Sequence, residues 1–260
     1  MDKNAKFNLM DYLNTCSYNT MDEDIARYLF ENRDKLENRS MRDIAEGGYF
    51  SQATLSRFFK HNGITFEGFK YTLMLGTTFY DRHFAAIHAP HQNLSKEEIL
   101  HSTTAEMKYA VEQIELLKME DIMEVVQRLK KPKRILFLGS QLSANNIYGL
   151  QALLVHEGIH AYAPQSMEGQ RNLLRVMENG DLIIVLSMKQ RWFNAVFLTE
   201  LLDDFMASKA EKELWTPVGS HIRQELFDHV FCFAEHPNDL VYTTLMTLVP
   251  VLVNLYISEE

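Results

Sequence analysis

The segment SQATLSRFFK, from Ser51 to Lys60, combines side chains that can recognise DNA. Gln can pair with adenine and Arg with guanine through two parallel hydrogen bonds, whereas Lys and hydroxyl groups bind phosphate. If the segment is a helix, Leu55, Phe58 and Phe59 share one face and the remaining side chains point outward. The candidate DNA-binding residues are therefore Ser51, Gln52, Ala53, Thr54, Ser56, Arg57 and Lys60.

Two loops in the second half of the chain carry groups that can hold an anion. RILFLGS is typical of a buried strand that ends at a glycine, and DLIIVLS is a second such strand. In doubly wound sheets, ligands lie beyond the carboxyl ends of the strands, where helix N-termini offer free N–H groups to anions. The candidate effector-binding residues in these loops are Ser140, Gln141, Ser143, Ser187, Lys189 and Arg191.

The histidines do not form a recognisable catalytic or metal-binding pattern. An isomerase needs an acid and a base at the reacting carbons. The candidates for these roles, His156, Glu157, His160, His221 and His236, do not lie in a catalytic run. The gaps between His83, His88, His91 and His101 do not place metal ligands on one helical face. We therefore expect no catalytic residues, no metal site and no cofactor.

The elements that must position the DNA-binding candidates are predicted from local signals. Residues 22–35 have apolar positions at helical spacing and acidic residues in the first turn. Ser40 and Asp43 resemble a capping box before a short helix that contains Ile44 and Ala45. The reading helix then begins at Ser51 and ends near Asn62 and Gly63. This order predicts a helix-turn-helix, with Ile44, Ala45, Phe50, Leu55 and Phe58 as its buried positions.

The second half of the chain alternates apolar strands with helical segments. Such alternation predicts an α/β fold with a doubly wound parallel sheet, because parallel strands need crossovers that cover both faces. The domains are predicted as a helix-turn-helix domain over residues 1–80, a helical linker over 81–130 and the α/β domain over 131–260. We expect the linker helices to contribute to a homodimer or a higher homo-oligomer.

The overall charge of −9 is not spread evenly along the chain. Residues 1–80 carry ten Lys or Arg against eleven Asp or Glu, so most of the acidity lies in the second half. DNA contact must therefore be local to the basic segment 51–75. With 46% hydrophobic residues, two distant cysteines and no apolar run near the N-terminus, the chain is typical of a cytoplasmic protein that does not enter a membrane.

The segment MRDIAEGGYFSQATLSRFFKHNGITFEGFKYTL resembles the N-terminal domain of MurR/RpiR-type transcriptional regulators, which join it to a sugar isomerase (SIS) domain. The resemblance covers about residues 22–73, and SQATLSRF and GFK are its most specific parts. Residues 133–260 are similar, more weakly, to SIS domains. The resemblance implies a regulator that binds a double-stranded DNA operator, is not an enzyme and senses a phosphosugar or related anion.

Two positions depart from the family pattern. Tyr49 stands in the turn where the family usually has Gly, and the neighbouring Gly48 could shift the turn to compensate. SMKQRW replaces the usual Ser-x-Ser-Gly-x-Thr phosphate loop and brings Lys189, Arg191 and Trp192 instead. Three alternatives stay open: a phosphosugar isomerase-type enzyme, a regulator whose SIS-like domain has lost its ligand and only mediates assembly, and an ordinary three-helix bundle with a solvated polar helix.

Overall fold

A computed structural model describes residues 12, 17, 19–36, 38–70, 93–188, 192–219, 223–235 and 240–258. The chain divides into two compact units, Met1–Gln92 and Asn93–Glu260. Each unit is described by itself below. The predicted domain boundary at residue 80 lies outside the described residues, and the boundaries as such stay a prediction.

The first unit is all-helical in its described part. Its helices are α1 (Met21–Glu31), α2 (Arg33–Leu36), α3 (Met41–Gly47) and α4 (Gln52–His61), and residues 66–70 are also helical. We call α3 the supporting helix and α4 the reading helix. Each apolar stripe faces the others because its residues recur every three or four positions. The core they form contains Ile25, Ala26, Leu29, Leu36, Ile44, Ala45, Leu55, Phe58, Phe59, Ile64 and Phe69.

Side-chain caps set where the supporting and reading helices begin. Ser40 accepts a hydrogen bond from the backbone N–H of Asp43, and the Asp43 carboxylate accepts one from the backbone N–H of Ser40. The predicted capping box is therefore present, with Asp in place of the more usual Glu. Ser51 caps the reading helix in the same way, through the N–H of Thr54.

The turn between these two helices is closely packed on one side. A Cβ atom on Gly48 would lie 2.9 Å from the Tyr28 ring and closer still to the Phe50 ring, so this position requires glycine. Tyr28 and Phe50 meet edge to face, with ring centroids 5.8 Å apart. These contacts hold the turn against α1 and so fix the direction in which the reading helix begins.

Gly48 does not compensate for the tyrosine that follows it. Gly48 has a φ of −92°, whereas Tyr49 itself takes the left-handed conformation with a φ of +59°. The expectation that the turn shifts onto the glycine is wrong, because the Phe50 N–H bonds to the Ala45 carbonyl at 2.8 Å and the Tyr49 N–H to the Glu46 carbonyl at 3.2 Å. In this helix C-cap the left-handed residue is the one before Phe50. A residue with a side chain loses about 1–2 kcal/mol in the left-handed region.

The second unit contains a five-stranded sheet in the order β2-β1-β3-β4-β5. The strands are β1 (Arg134–Gly139), β2 (His160–Tyr162), β3 (Leu182–Leu186), β4 (Glu211–Thr216) and β5 (His229–Cys232), and every neighbouring pair is parallel. The chain adds β2 on one side of β1 and then returns to add β3 on the other side. The strand order therefore reverses between β1 and β3, which is the switch point of the sheet.

Helices cover both faces of this sheet. They are α5 (Lys96–Glu115), α6 (Met119–Lys130), α7 (Gln141–Asn146), α8 (Tyr148–His156), α9 (Met167–Leu174), α10 (Leu202–Ala207) and α11 (Val241–Ser258), with a π-helix over Phe193–Leu201 and a 3-10 turn over Gln224–Leu226. Ile135 and Phe137 face a core shared with α6, α8 and α11, while Leu136 and Leu138 face one shared with α9, the π-helix and α10. This alternation follows from the period of two along a strand.

The segment predicted as a linker contains two helices that pack within the second unit. Ala110 and Ile114 of α5 and Val125 and Leu129 of α6 are buried, and both helices contact α11. The apolar positions of α5 and α6 thus contribute to the core of the α/β unit, and the linker role of residues 81–130 stays a prediction. Residues 71–92, including Pro90, lie outside the described residues.

The last helix, α11, is by length and composition apolar enough to cross a membrane, and within the described residues it alone has this property. Its stripe of Leu245, Leu248 and Leu252 is fully buried in the core under the sheet. A core helix of an α/β unit has this same composition, so a single such helix is weak evidence for a membrane segment.

Candidate functional site

The reading helix separates its apolar and polar side chains by face. Leu55, Phe58 and Phe59 are at most 2% exposed, and Phe59 packs on Phe69 with ring centroids 5.0 Å apart. These aromatic contacts fix the rotation of the helix about its own axis. The opposite face presents to solvent the predicted DNA-binding residues Ser51, Gln52, Ala53, Ser56, Arg57 and Lys60, and Thr54 is partly exposed.

Hydroxyl groups order the first turn of the reading helix. The Oγ atoms of Ser51 and Thr54 lie 2.8 Å apart, and Arg57 Nη2 approaches the Thr54 hydroxyl at 3.5 Å. The helix contains no Asp or Glu between residues 52 and 61. The exposed face is consequently neutral to positive, as a surface that meets phosphate must be.

The supporting helix carries its own ordered charges. Arg42 Nε lies 2.7 Å from Glu46 Oε1 in an exposed ion pair. Hydrogen bonds from the hydroxyl and backbone N–H of Ser40 lower the pKa of Asp43 below its ordinary value. The ionised Asp43 thus helps to hold the first turn of the supporting helix.

Removing the Ser40 cap should weaken the first unit in a pH-dependent way. A group whose folded pKa is lowered contributes stability above its unfolded pKa, and this stability is lost as pH falls through the folded value. Ser40→Ala should lower the melting temperature of the first unit at pH 7 by on the order of 4–8 °C. The difference from the wild type should narrow below about pH 4, where Asp43 takes up a proton.

Circular dichroism melts of the full chain at pH 7 and at about pH 2, where a carboxylate with a lowered pKa also takes up a proton, would measure this effect. Ser56→Ala is a matched control, since Ser56 is an exposed serine of the reading helix that caps no helix. A gap between wild type and Ser40→Ala that stays the same at both pH values would contradict the part assigned to the Asp43 carboxylate.

The second candidate site lies at the switch point of the sheet. Gly139, the last residue of β1, is paired in register with Leu186, the last residue of β3. Ser140 and Ser187 therefore follow at neighbouring strand ends. A Cβ atom on Gly139 would lie 3.1 Å from Leu186 Cβ and 3.2 Å from Ser143 Cβ, so glycine allows the strand ends and α7 to meet closely.

Ser140 caps α7 and organises the first loop. Its Oγ accepts a hydrogen bond of 3.3 Å from the Ser143 N–H and lies 2.9 Å from the Ser143 hydroxyl. Ser143 is buried, while Ser140 and Gln141 are partly exposed. The structure thus places Ser140, Gln141, Ser143 and Ser187 together just beyond the carboxyl ends of β1 and β3.

Two buried polar atoms near these strand ends have no hydrogen-bond partner within the described residues. They are the hydroxyl of Ser187 and the carboxamide oxygen of Gln170. The Gln170 amide donates to the carbonyl oxygens of Gly139 at 2.9 Å and Pro164 at 3.1 Å, which holds the side chain under the end of β1. Burying a polar group without a partner costs about 1–3 kcal/mol, so such atoms often mark the place of a missing water or ligand.

Sequence reasoning missed Gln170, which lies in the same helix as Glu168. Glu168 is exposed, whereas Gln170 is 2% exposed. Helical spacing could have predicted its burial, since Gln170 lies four residues before the buried Leu174 on α9 and so shares its face.

The SMKQRW loop is only partly described. Lys189 and Arg191 lie outside the described residues, so their prediction as anion ligands stays a prediction. Trp192 is partly buried and packs on Phe197 with ring centroids 5.9 Å apart. After Trp192 the chain continues into the π-helix over Phe193–Leu201.

The histidines considered for catalysis do not converge on the switch point in the described part of the chain. His156 ends α8, is exposed and lies 3.9 Å from Glu157. His160 is exposed in the first position of β2, at the amino ends of the strands, whereas Ser140 lies beyond their carboxyl ends. His221 and His236 lie outside the described residues, as do His83, His88 and His91. Within the described ranges no three His, Cys, Asp or Glu side chains form a metal-binding group.

An open cavity of about 470 Å³ lies beside the amino ends of β4 and β5, away from the predicted anion loops. Its lining mixes acidic and basic groups, including Glu211 and His229, whose Oε1 and Nε2 atoms are 2.7 Å apart. These groups largely satisfy one another. Cys232 in the last position of β5 is a half-buried free thiol, and burial raises its pKa, which disfavours the reactive thiolate.

Comparison with solved structures supports the architecture of the whole chain. The NanR protein of Vibrio vulnificus, solved in complex with ManNAc-6P, matches with a TM-score of 0.51 and 16% identity, over 97% of this chain and 92% of that protein. This likeness, together with the parallel sheet, confirms the predicted fold class: an all-α helix-turn-helix unit followed by an SIS-like α/β unit.

Two further structures match mainly the second unit. The sugar isomerase domain of an RpiR transcription factor from Sphaerobacter thermophilus matches with a TM-score of 0.44 and 16% identity, over 62% of this chain and 96% of that one. An Escherichia coli CFT073 protein in complex with A5P matches with a TM-score of 0.48 and 14% identity, over 64% and 94%. No protein-family model matches the sequence. No curated protein sequence matches it significantly.

Proposed function

We propose that this protein is a DNA-binding transcriptional regulator whose SIS-like unit senses a phosphosugar or a related small anion. The observation that carries the proposal is the exposed face of the reading helix. Gln52 and Arg57, which can read bases, lie on the same solvent-facing side as Lys60 and Ser56. A helix that served only a bundle core would not need an outer face without Asp or Glu.

The side chains of the reading helix follow one another in the order expected of a helix that enters the major groove. Its N-terminal turn carries Gln52 and the ordered hydroxyls of Ser51 and Thr54, and Arg57 follows one turn later. In helix-turn-helix proteins the N-terminal residues of the second helix contact base edges. We assign Gln52 and Arg57 to bases, and Lys60 and the hydroxyls to phosphates.

The effector is assigned to the switch point of the sheet. Ser140, Gln141, Ser143 and Ser187 meet there, and the buried Ser187 hydroxyl and Gln170 oxygen lack partners within the described residues. Lys189 and Arg191, next along the chain, would add positive charge. The NanR protein of similar overall fold was solved with ManNAc-6P, which supports a sugar phosphate as the ligand class. We assign no catalytic residue, no metal and no cofactor to this site.

Two copies of the chain would place two reading helices in successive major grooves. Half-sites would then be separated by about 34 Å or a multiple of it. A ligand can shift such an arrangement only if it binds one state of the dimer more tightly than the other. We therefore propose a homodimer or a higher homo-oligomer in the cytoplasm.

Mapping of DNA fragments bound by the purified protein across its own genome would test DNA binding. We expect enrichment of fragments that contain two related half-sites at this spacing. Binding that is equally weak on all fragments, and that disappears at physiological salt, would contradict a sequence-specific regulator.

Ser187→Ala should separate the effector role of the hydroxyl from a structural one. Without ligand, the free energy of unfolding should stay unchanged or rise by about 1 kcal/mol, because a buried hydroxyl without a partner is removed. With a saturating sugar phosphate at 100 times its Kd, the wild type should gain about 2.7 kcal/mol, and the variant should gain clearly less.

Thermal unfolding with inorganic phosphate, N-acetylmannosamine 6-phosphate, glucosamine 6-phosphate and ribose 5-phosphate would measure both effects. Thr216→Val is the control, since the Thr216 hydroxyl donates to the Ser187 carbonyl at 3.1 Å and its loss should destabilise the protein with or without ligand. No shift with any of these compounds would favour the alternative that the unit only mediates assembly. Turnover of a sugar phosphate would favour the isomerase alternative.

A further inference from the structure

Tyr49 combines a left-handed backbone conformation with an almost fully exposed side chain. Its φ of +59° lies in the left-handed region that favours glycine, and its side chain is 98% exposed. Backbone strain at a residue with a side chain persists where the surrounding structure imposes it, and it concentrates at functional sites.

The packing of the turn does not explain why the residue is a tyrosine. The space inside the turn is filled by Tyr28 and Phe50 against Gly48. Within the described residues, Tyr49 bonds only through its backbone N–H, to the Glu46 carbonyl at 3.2 Å. Glycine would meet the same backbone requirement without strain, so the side chain is better explained by a contact outside the chain.

The surroundings of Tyr49 indicate what this contact is. The residue lies in the turn that joins the supporting helix to the reading helix, two positions before the helix cap Ser51. Ser51, Thr54 and Arg57 on the first turns of the reading helix are all hydrogen-bond donors at the surface. A phenol is a further neutral donor, and tyrosine is among the side chains that bind DNA phosphates.

We propose that the Tyr49 phenol donates a hydrogen bond to a backbone phosphate beside the groove that the reading helix enters. The inference rests on the proposed DNA-binding function and adds a contact that the resemblance of the sequence does not supply. A phosphate contact of this kind positions the helix on the duplex and carries no base preference. Because the donor is neutral, it releases no counterion from the DNA.

The test compares wild-type protein, Tyr49→Phe and Tyr49→Gly as full chains, by fluorescence anisotropy on a bound genomic fragment between 50 and 200 mM salt. Tyr49→Phe should weaken binding by roughly 10- to 150-fold through the loss of one hydrogen bond to a charged group. The loss should be equal on fragments with altered bases, and the slope of log affinity against log salt should not change. Tyr49→Gly should bind at least as weakly, with a melting temperature equal to or above that of the wild type.

Lys60→Ala is the matched control for a charged phosphate contact, and it should reduce the salt slope by about one. Wild-type affinity in both Tyr49 variants, together with a loss in Lys60→Ala, would overturn the proposal for Tyr49 and leave the proposed function intact. Weak binding by Tyr49→Gly but not by Tyr49→Phe would overturn the hydrogen bond in favour of a ring contact. Failure of the wild type to bind any genomic fragment would instead overturn the proposed function.

Discussion

Replacement of Gln52 and Arg57 together by alanine should abolish sequence-specific DNA binding while the fold stays intact. Each bidentate base contact contributes about 1–3 kcal/mol of discrimination, so the two contribute about 2–6 kcal/mol and a loss of roughly 30-fold to 20,000-fold in affinity for the specific site. Both side chains are exposed, and the buried Leu55, Phe58 and Phe59 are untouched. The melting temperature should therefore change little.

Arg57→Lys should show how Arg57 acts. Lysine keeps the charge but lacks the planar fork that matches guanine with two hydrogen bonds. We expect Arg57→Lys to retain nonspecific binding and its salt dependence, and to lose discrimination at the base that Arg57 contacts. Gel-shift titrations on the wild-type site and on single-base variants of that site would measure this change.

Arg223→Ala is a charge-matched control for these variants. Arg223 is an exposed arginine of the second unit that pairs with Glu225 at 2.9 Å, and its loss should leave specific binding unchanged. Unaltered specific binding by the Gln52→Ala and Arg57→Ala double variant would contradict the assignment of the reading helix. Equal loss in Arg223→Ala would show that overall charge, and not the helix face, governs binding.

Arg128→Met should destabilise the second unit by about 3–5 kcal/mol. Glu213 is 1% exposed at the third position of β4. Arg128 binds it with two hydrogen bonds, Nε to Oε2 at 2.9 Å and Nη2 to Oε1 at 3.1 Å, and the Trp215 indole N–H donates to Oε1 at 2.9 Å. Methionine keeps much of the packing of the arginine side chain but leaves the buried carboxylate without its cation.

Arg128 keeps its positive charge across the physiological pH range. Burial opposes the charge of Arg128, and the hydrogen bonds and attraction of Glu213 more than offset it, so the pKa of Arg128 is raised. A raised pKa contributes stability that is fully present below the unfolded value, which for arginine lies far above neutral pH. We therefore expect the stability of the wild-type second unit to show no contribution from titration of Arg128 between pH 6 and pH 8.

Urea unfolding of the full chain would measure the loss. Arg128→Met combined with Glu213→Gln should recover part of the stability, because the amide carries no charge and still accepts from Trp215. Arg223→Met, which removes an exposed pair, should produce no measurable change. A loss in Arg128→Met no larger than that in Arg223→Met would show that the buried carboxylate is neutralised in another way.

Local patterns in the sequence determined the helix-turn-helix and the alternation of strands and helices. The spacing of Ile44, Leu55 and Phe58 follows the 3.6-residue period, so burial of one face exposes Gln52 and Arg57. The Ser40 and Ser51 caps depend on neighbours three residues away, which the sequence also contains. Apolar runs such as RILFLG predicted buried parallel strands because both faces of such a strand are covered.

Long-range pairing decided the rest. The register that sets Gly139 opposite Leu186 brings Ser140 and Ser187 together, and it depends on which strands become neighbours in the sheet. Gln170 lies under the end of β1 because α9 packs on that strand, and α5 and α6 join the second core through contacts with α11. Periodicity acts within one element, whereas these features depend on contacts between elements that are distant in the chain.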